Sequence, residues 1–550
     1  MDINLGPDQR EALDRIDEFL RSDNRIFVLK GQAGTGKTTL IRPIMDLIRR
    51  HNLRYKIATT TGRAKYVLTD KLFHVSADQI TDPVTGISYS AAHFDEVVNT
   101  VHSHIYTFLT LDISDQEIRQ MSQTDLFNYF LGQYKVVVPP ELKVRQNTFK
   151  AVFGIKLYEN SSGVMIIDEA SMLADRPSAD NKSHAIYGTG RVLKDLLFSH
   201  PHYKFIFIGD PYQLPPVGQN FPPALTPEYL MQNHPEQTRG KIWEYELSRI
   251  YRQEHNSGIL RAASYLRFQA QRNEKPVRFK LKNIPQIHVL PRAQHFYRYA
   301  EIFRNHYKNN GPEGLRKAIS RHIFITLKNE HVFQFNKWIR PEIFGSDKIP
   351  SLMPGDIVLV TQNNYLHNVF NGELIQVTHI HPITETTAGL TFKRATFRKL
   401  NRHSNIEFTA YYLENVLLSG KDNLTMEQYK NLMHDFLVRT ADKHNWDFKS
   451  EQGRKILMDL LQKDPYINAL KLNYGYGLTA HKAQGGEWDH VFIAPDGFLI
   501  TSRFDRPYNW VYTALTRAKK QAYIRQAPFI EPFQPPNPAF CLRFPQFCKA

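Results

Sequence analysis

The sequence predicts an α/β protein built on parallel sheets, and three stretches carry that prediction. Each is a short apolar run with polar chemistry at its C-terminal end: Ile26-Phe27-Val28-Leu29, Val164-Met165-Ile166-Ile167 and Phe205-Ile206-Phe207-Ile208. A strand covered on both faces reads as a continuous apolar run, the pattern of parallel sheets flanked by helices. Ligands of such sheets sit outside the carboxyl ends of the strands. The residues just past each run are therefore where chemistry is expected.

The first run leads into Gly31-Gln32-Ala33-Gly34-Thr35-Gly36-Lys37-Thr38-Thr39. Gly31, Gly36, Lys37 and Thr38 fit the phosphate-binding template Gly-x-x-x-x-Gly-Lys-[Ser/Thr], and an apolar-periodic helix through Met45, Leu47 and Ile48 comes next. Strand, glycine-rich loop and helix is the context the motif needs. The glycines let successive N–H groups turn inward on a phosphate, and the helix N-terminus adds positive dipole. Gly31, Ala33, Gly34, Thr35, Gly36, Lys37, Thr38 and Thr39 are the candidate nucleotide contacts. Lys37 is suited to the β- and γ-phosphates, and Thr38 to a Mg²⁺ ion.

The second run delivers Asp168 and Glu169. Asp168 is suited to hold Mg²⁺ through water, and Glu169 to orient or deprotonate an attacking water, the two tasks hydrolysis needs beside a γ-phosphate. The third run ends in Gly209-Asp210-Pro211-Tyr212-Gln213-Leu214-Pro215-Pro216, which puts Gln213 at a strand end as a γ-phosphate sensor. Pro215 and Pro216 stiffen the chain beyond it, so a movement of the sensor can pass to a neighbouring groove.

The remaining elements are taken in chain order. Residues 2–22 read as a helix, and Gln9 at its start is a candidate adenine reader, because one amide donates and accepts at once. Lys56 to Lys65 reads as a strand ending in a Thr/Gly loop and a basic helix start; Thr60 and Arg63 there are candidate backbone contacts for a nucleic acid. His102, in Thr100-Val101-His102-Ser103, is a weaker candidate of the same kind. Residues 107–160 read as an insertion: a polar, helix-like part and then possible strands over Phe149–Tyr158. Arg252 opens a second α/β region whose strand is His322-Ile323-Phe324-Ile325. From Pro354 short strands and Gly/Asn turns predict a small β-barrel reaching about residue 416, with Asn371-Gly372 as a hairpin turn. Residues 417–465 switch to charged helical periodicity. Past a strand at Val491-Phe492-Ile493, Thr513 and Arg517 share a helix face, where an arginine of a second domain can close over a nucleotide held by the first.

Size and charge bound the rest. A chain of 550 residues is too long for one core and predicts about three or four folding units. No apolar run reaches the roughly 18 residues of a membrane span, and Met1-Asp2-Ile3-Asn4 lacks the pattern of a signal peptide. The two cysteines, Cys541 and Cys548, fit no common zinc spacing and point to a reducing, cytoplasmic setting. A net charge of +16 favours a polyanionic partner.

As an ordered set, GQAGTGKTT, TTTGRAK, TVHS, IIDEAS, GDPYQLPPVG, YRQ, LTAHKAQGGEW and YTALTRAK resemble the motifs of a superfamily 1 DNA helicase. The resemblance is closest to the RecD-like and Dda-like branch, with a UvrD-like C-terminal helicase domain, whose members generally move 5′ to 3′ on single-stranded DNA. It implies two RecA-like domains with ATP and Mg²⁺ between them and DNA running across both. It makes Gln9 the adenine reader and assigns the phosphate, metal and water roles to Lys37, Thr38, Asp168, Glu169 and Gln213. It matches Arg252 and Arg517 to the γ-phosphate arginines and Glu487 to the nucleotide site. Thr60, Arg63, His102, Pro215, His481 and Lys482 fall in DNA-facing motifs, and the strands after Pro354 resemble an SH3-like insertion. The expected division is 1–235 for the first RecA-like domain, 236–348 with 471–530 for the second, 349–416 for the SH3-like unit, 417–470 for a helical insertion and 531–550 for a tail. The helical insertion is larger than the family's minimal core, and 107–160 does not read as a separating hairpin, so translocation is better supported than unwinding. The expected protein is a monomeric helicase or translocase on single-stranded or tailed duplex DNA, with no membrane and with 417–470 open to a protein partner. Repair, recombination and defence against foreign DNA all fit. The rival expectation is a nucleic-acid-stimulated ATPase switch that changes shape without processive movement.

Overall fold

The computed structural model describes residues 5–533 apart from 76–79, 84, 91–93, 95, 112–134, 138–150, 178–184, 239, 252–256, 365, 401–405, 445–455 and 457–458. Its first sheet has six strands: β1 (Ile26–Gly31), β2 (Tyr55–Thr59), β3 (Val98–Thr100), β4 (Gly163–Asp168), β5 (Tyr203–Gly209) and β6 (Trp243–Leu247). They lie in the order β6-β1-β5-β4-β2-β3, every neighbouring pair parallel. Alternation explains the continuous apolar runs. Phe27, Leu29, Ile166 and Ile208 enter one core, while Ile26, Val28, Met165, Ile167 and Phe207 enter the core on the opposite face.

Helices α1 (Pro7–Arg21), α2 (Lys37–Arg50) and α3 (Gly62–Leu72) belong to this sheet. Among the described residues α1 starts at Pro7 rather than residue 2, because Pro7 takes the first helical position, where its missing N–H costs nothing. Small antiparallel strands sit beside the sheet at Tyr106–Leu111, Lys135–Val137 and Ala151–Leu157. The polar, helix-like part expected within 107–160 lies outside the described residues.

A second parallel sheet orders its strands Ile287–Leu290, Ala518–Arg525, Trp488–Ala494, His322–Thr326 and Gly477–Thr479. Two parallel sheets flanked by helices give the α/β class. Beside the second lies an antiparallel sheet, ordered Glu407–Leu413, Leu390–Lys399, Leu374–Thr387, Ile357–Val360 and Leu472–Tyr474.

Three local features differ from expectation. The tight hairpin of the antiparallel sheet is Ala388-Gly389, both with positive φ (51° and 71°), directly between the paired Thr387 and Leu390. Asn371-Gly372 instead ends a longer loop, in which Asn364 bridges Val369 before Gly372 N–H donates to Val360 O at 2.9 Å. The sheet's edge strand, Leu472–Tyr474, comes after the helices Glu414–Ser419 and Met426–His444, well beyond residue 416. Ile530–Pro532 pairs with Phe279–Lys282, so the stretch expected as a tail begins in a strand. Cys541, Cys548 and the proline-rich segment from 534 lie outside the described residues. Among the described residues no helix is long and apolar enough to cross a membrane.

One buried ion pair pins the antiparallel sheet to the second parallel one. Arg340, in helix Asn329–Phe344, donates from Nε to Asp356 Oδ1 at 2.9 Å and from Nη2 to Asp356 Oδ2 at 2.7 Å. Asp356 also accepts from the Tyr476 hydroxyl at 2.9 Å and from Met353 N–H at 2.7 Å. Replacing it leaves a buried guanidinium with half its partners. Asp356→Ala is therefore expected to lower stability by about 3–5 kcal/mol, read by denaturant unfolding; a loss below about 1 kcal/mol would contradict this role.

Candidate active site

Sequence dictates the shape of the loop after β1. Gly34 and Gly36 hold φ of 85° and 78°, a region that favours glycine, and Gly36 is the residue from which α2 starts. A Cβ on Gly31 would lie 2.6 Å from Thr35 Oγ1, so this position is closed to side chains. Lys37 Nζ turns back onto the loop's own carbonyls, Gly31 O at 2.6 Å and Gln32 O at 3.0 Å. Thr38 and Thr39 stand in the first turn of α2, Thr38 half-buried and Thr39 exposed. Gln9 uses both functions of its amide on protein: Oε1 accepts from Gly6 N–H at 3.0 Å and Nε2 donates to Thr35 O at 3.0 Å.

Beside this loop β4 ends in the carboxylates. Glu169 sits at φ 54°, ψ 36°, an unfavourable conformation for a side-chain-bearing residue, and its N–H donates to Asp168 Oδ1 at 2.9 Å. Burial, and then the charge of Glu169, push the Asp168 carboxyl up to about 7, against the weaker opposing pull of Lys37 and Lys71. Two adjacent carboxylates held at this cost form a donor set that suits a hard divalent cation. Thr38, next to Lys37 at the start of α2, adds a hydroxyl, and this set of oxygen donors fits a Mg²⁺ ion.

A second set of elements closes over the first. The Tyr512 hydroxyl, on helix Pro507–Leu515, accepts from Ala33 N–H at 3.0 Å and donates to Asp210 Oδ2 at 2.5 Å. Thr513 Oγ1 accepts from Leu214 N–H at 2.9 Å, Asn509 donates to Tyr212 O at 2.9 Å and Gln484 donates to Leu214 O at 3.1 Å. Gln213 is thus buried in a loop gripped from both sides. Arg267, on helix Gly258–Arg272, reaches across to Gln32 Oε1 at 3.1 Å. Arg517 is buried just past the end of helix Pro507–Leu515 and donates to Thr513 O, Gly486 O and Thr516 Oγ1 at 3.1–3.3 Å. Glu487 faces Lys71 at 3.9 Å, and Arg252 lies outside the described residues.

The structure therefore sets Lys37 within electrostatic reach of Asp168 and Glu169, and holds the loop of Gln213 against the helix that leads to Arg517. Sequence reasoning passed over Tyr512 and Arg267. Tyr512 stands within the YTALTRAK motif, yet only its long-range partners reveal what it does; Arg267 carries no local signal at all.

The candidate nucleic-acid contacts are scattered among different surroundings. The Thr60 hydroxyl donates to Glu169 O at 3.4 Å, Arg63 lies 4.2 Å over the Trp488 ring and Pro215 is buried next to Leu214. His102 packs beside Tyr106 and Tyr187, both rings 5.5 Å away, and burial pulls its imidazole down to about 4. His481 is lowered by burial as well, and Lys482 Nζ donates to Asp422 Oδ1 at 2.6 Å.

Removing the Tyr512 hydroxyl leaves Ala33 N–H and one oxygen of the fully buried Asp210 without their partner. Tyr512→Phe is expected to cost about 1–3 kcal/mol, seen as an earlier melting transition without nucleotide. An unchanged transition would mean the bridge contributes nothing.

The AAA domain model matches residues 4–278, half of the 550-residue chain, and the UvrD-like helicase C-terminal domain model matches residues 474–524. A protein of Methanocaldococcus jannaschii is 23% identical over 531 residues; the match takes in 91% of this chain, which spans only 36% of that relative. The RecBCD enzyme subunit RecD of Buchnera aphidicola is 22% identical over 531 residues, covering 95% of this chain and 73% of its own. A crystal structure of Pif1 helicase from Bacteroides, with ADP-AlF3 and single-stranded DNA, is 15% identical at a TM-score of 0.40, covering 97% of this chain and 95% of that one. The chain belongs to the AAA domain family, and the stretch that closes on its phosphate-binding loop matches a UvrD-like helicase C-terminal domain.

Proposed function

We propose that the protein is an ATP-dependent DNA helicase or translocase that moves 5′ to 3′ on single-stranded DNA. The observation that carries this reading is the contact between the halves, where Tyr512 and Arg267 meet the phosphate-binding loop beside the Asp168-Glu169 carboxylates. Lys37 now bonds neutral carbonyls, and a phosphate oxygen is a stronger acceptor, so nucleotide competes for it directly. Thr38 and Asp168 would hold Mg²⁺, which neutralises phosphate charge when bound. Glu169 orients the water, and Gln213 reports the terminal phosphate to Leu214 and Pro215. Gln9 reads adenine by exchanging its protein partners for the base edge, and Glu487 and Arg252 complete the nucleotide set. Arg517 neutralises charge that develops during transfer, a role worth about 10³–10⁵ in rate in well-studied enzymes.

Movement follows from the grip on the loop around Gln213. The helix Pro507–Leu515 holds that loop through Tyr512, Thr513 and Asn509, so a change at the phosphates displaces one half against the other. Each half then binds the strand differently in each state. Thr60, His102, Pro215, His481 and Lys482 are the assigned strand contacts, with Lys482 trading Asp422 for a DNA phosphate. The antiparallel sheet acts as an SH3-like unit, residues 417–470 as a partner surface, and the two parallel sheets as RecA-like domains within the expected bounds. The protein works as a monomer in the cytoplasm on tailed duplex DNA. The Lys482–Asp422 pair favours one further reading, a switch in which a partner of 417–470 frees the strand site.

Lys37→Ala is expected to cut strand-stimulated ATP hydrolysis on the order of 10²-fold or more while single-strand binding persists; hydrolysis that survives would remove the loop from the mechanism. Wild-type binding should weaken with salt at a log–log slope of about −0.7 per neutralised phosphate, measured by fluorescence anisotropy. A flat salt response would exclude a backbone-gripping strand site.

A further inference from the structure

Two arginines from opposite halves meet at one glycine. Arg63, the second residue of α3, lays its guanidinium 4.2 Å over the Trp488 ring, and its Nε is shielded from solvent with no hydrogen-bond partner. A Cβ on Gly486 would lie 2.5 Å from that Nε and 2.7 Å from the Trp488 ring, so only glycine admits the arginine here. On its other side the same Gly486 gives its carbonyl to Arg517 Nη1 at 3.2 Å. Arg517 is 5% exposed, and its other donors reach only a carbonyl and a hydroxyl. Among the described residues no carboxylate pairs with either guanidinium.

Buried cations are ordinarily paired, because desolvation penalises the charged form. Burial, and then Arg517, push Arg63 down to about 10, so it still carries its charge at neutral pH. Arg517 is buried and Arg63 partly so; two like charges on either side of one glycine repel each other, and an anion that reaches both relieves the repulsion. Arg63 lines a cavity with Asp70, Glu313, Glu373 and Glu487, and one link runs from the start of its helix to the nucleotide side. Thr60, three residues before Arg63, donates its hydroxyl to Glu169 O, tying the start of α3 to the strand that carries Asp168. Thr61 caps α3 by accepting from Ala64 N–H at 3.1 Å, and the helix dipole adds positive potential at the same end.

We propose that Arg63 is a phosphate ligand of the nucleotide site, forming with Arg517 a two-arginine clamp on the terminal phosphoryl group instead of contacting the DNA strand. The clamp rests on the ATP-hydrolysing reading above. Trp488 fixes the plane of the Arg63 guanidinium, and Gly486 sets the approach of both cations. The cleft is held shut while the terminal phosphoryl group is present. When that group leaves, the two charges face each other and favour opening. Sensing of the terminal phosphate thus comes partly from the half that holds the P-loop, and not solely from the half that closes on it.

The test compares binding of fluorescent ADP with and without fluoroaluminate, which stands in for the terminal phosphoryl group, in wild-type protein, Arg63→Gln and Arg63→Lys. Arg63→Gln keeps a side chain that can pack on Trp488 but removes the charge. The clamp predicts that it loses about tenfold or more of the fluoroaluminate-dependent tightening, that ADP alone binds within about twofold of wild type, and that Arg63→Lys recovers part of the loss. Melting curves establish that both variants fold, and a nucleotide-free oligonucleotide titration reads the strand site. Full tightening in Arg63→Gln would overturn the clamp, and a tenfold weaker oligonucleotide affinity alongside it would return Arg63 to the DNA. Wild-type protein that binds no ADP would overturn the nucleotide reading itself, and the clamp with it.

Discussion

The geometry of the cleft depends on one phenol. Tyr512 joins the phosphate-binding loop, through Ala33 N–H, to the loop after β5, through Asp210, while belonging to the opposite half. Burial, and then Asp210, raise its hydroxyl well above the ordinary tyrosine range, so it remains a neutral donor at any physiological pH. The contacts around it are neutral too: Thr513 with Leu214, Asn509 with Tyr212, Gln484 with Leu214. Hydrogen bonds of this kind hold a closed arrangement at modest net free energy each. A ligand's phosphates can therefore shift it, the ionic contact of Lys71 with Glu487 across the halves being long at 3.9 Å.

Two carboxylates of the scaffold are saturated. Asp82 accepts from Arg42 and Arg49, both at 2.6 Å, and Asp175 takes Arg191, Tyr229 and His234 within 2.9 Å, which together hold its carboxyl below the usual range despite burial. Around the cleft, Lys37 bonds carbonyls, Asp168 is pushed up beside Glu169, and Arg63 and Arg517 meet no carboxylate among the described residues. Unpaired charge in a partly desolvated cleft is destabilising unless a ligand compensates it. A polyanion with a divalent cation supplies both missing signs.

Legibility in the sequence followed the range of the interactions. The phosphate-binding loop, the Asp168-Glu169 pair and the loop of Gln213 were readable because strand, turn and side chain are neighbours in sequence. Two-sided burial printed the strands as apolar runs. Pairings distant in sequence are not readable: Leu472–Tyr474 carries no mark that it belongs beside Ile357–Val360, and Glu531 and Pro532 of the strand beside Phe279–Lys282 read as tail because prolines surround them. The Ala388-Gly389 hairpin was hidden because alanine rarely accepts positive φ, whereas Asn371-Gly372 advertised a turn that closes a longer loop. Motif resemblance grouped Arg63 and Lys482 with strand contacts, but their surroundings, Trp488 with Gly486 and Asp422, emerge only from the folded chain.

In the function proposed above, closure between the two halves drives directed movement along a single strand. The most direct measurement is strand displacement on two otherwise identical duplexes, one with a 5′ single-stranded tail and one with a 3′ tail, with ATP present. Displacement from the 5′-tailed duplex alone is the predicted result. Displacement from the 3′ tail alone would contradict the direction, and no displacement from either, with hydrolysis still stimulated by single strands, would contradict unwinding and leave a translocase or a switch.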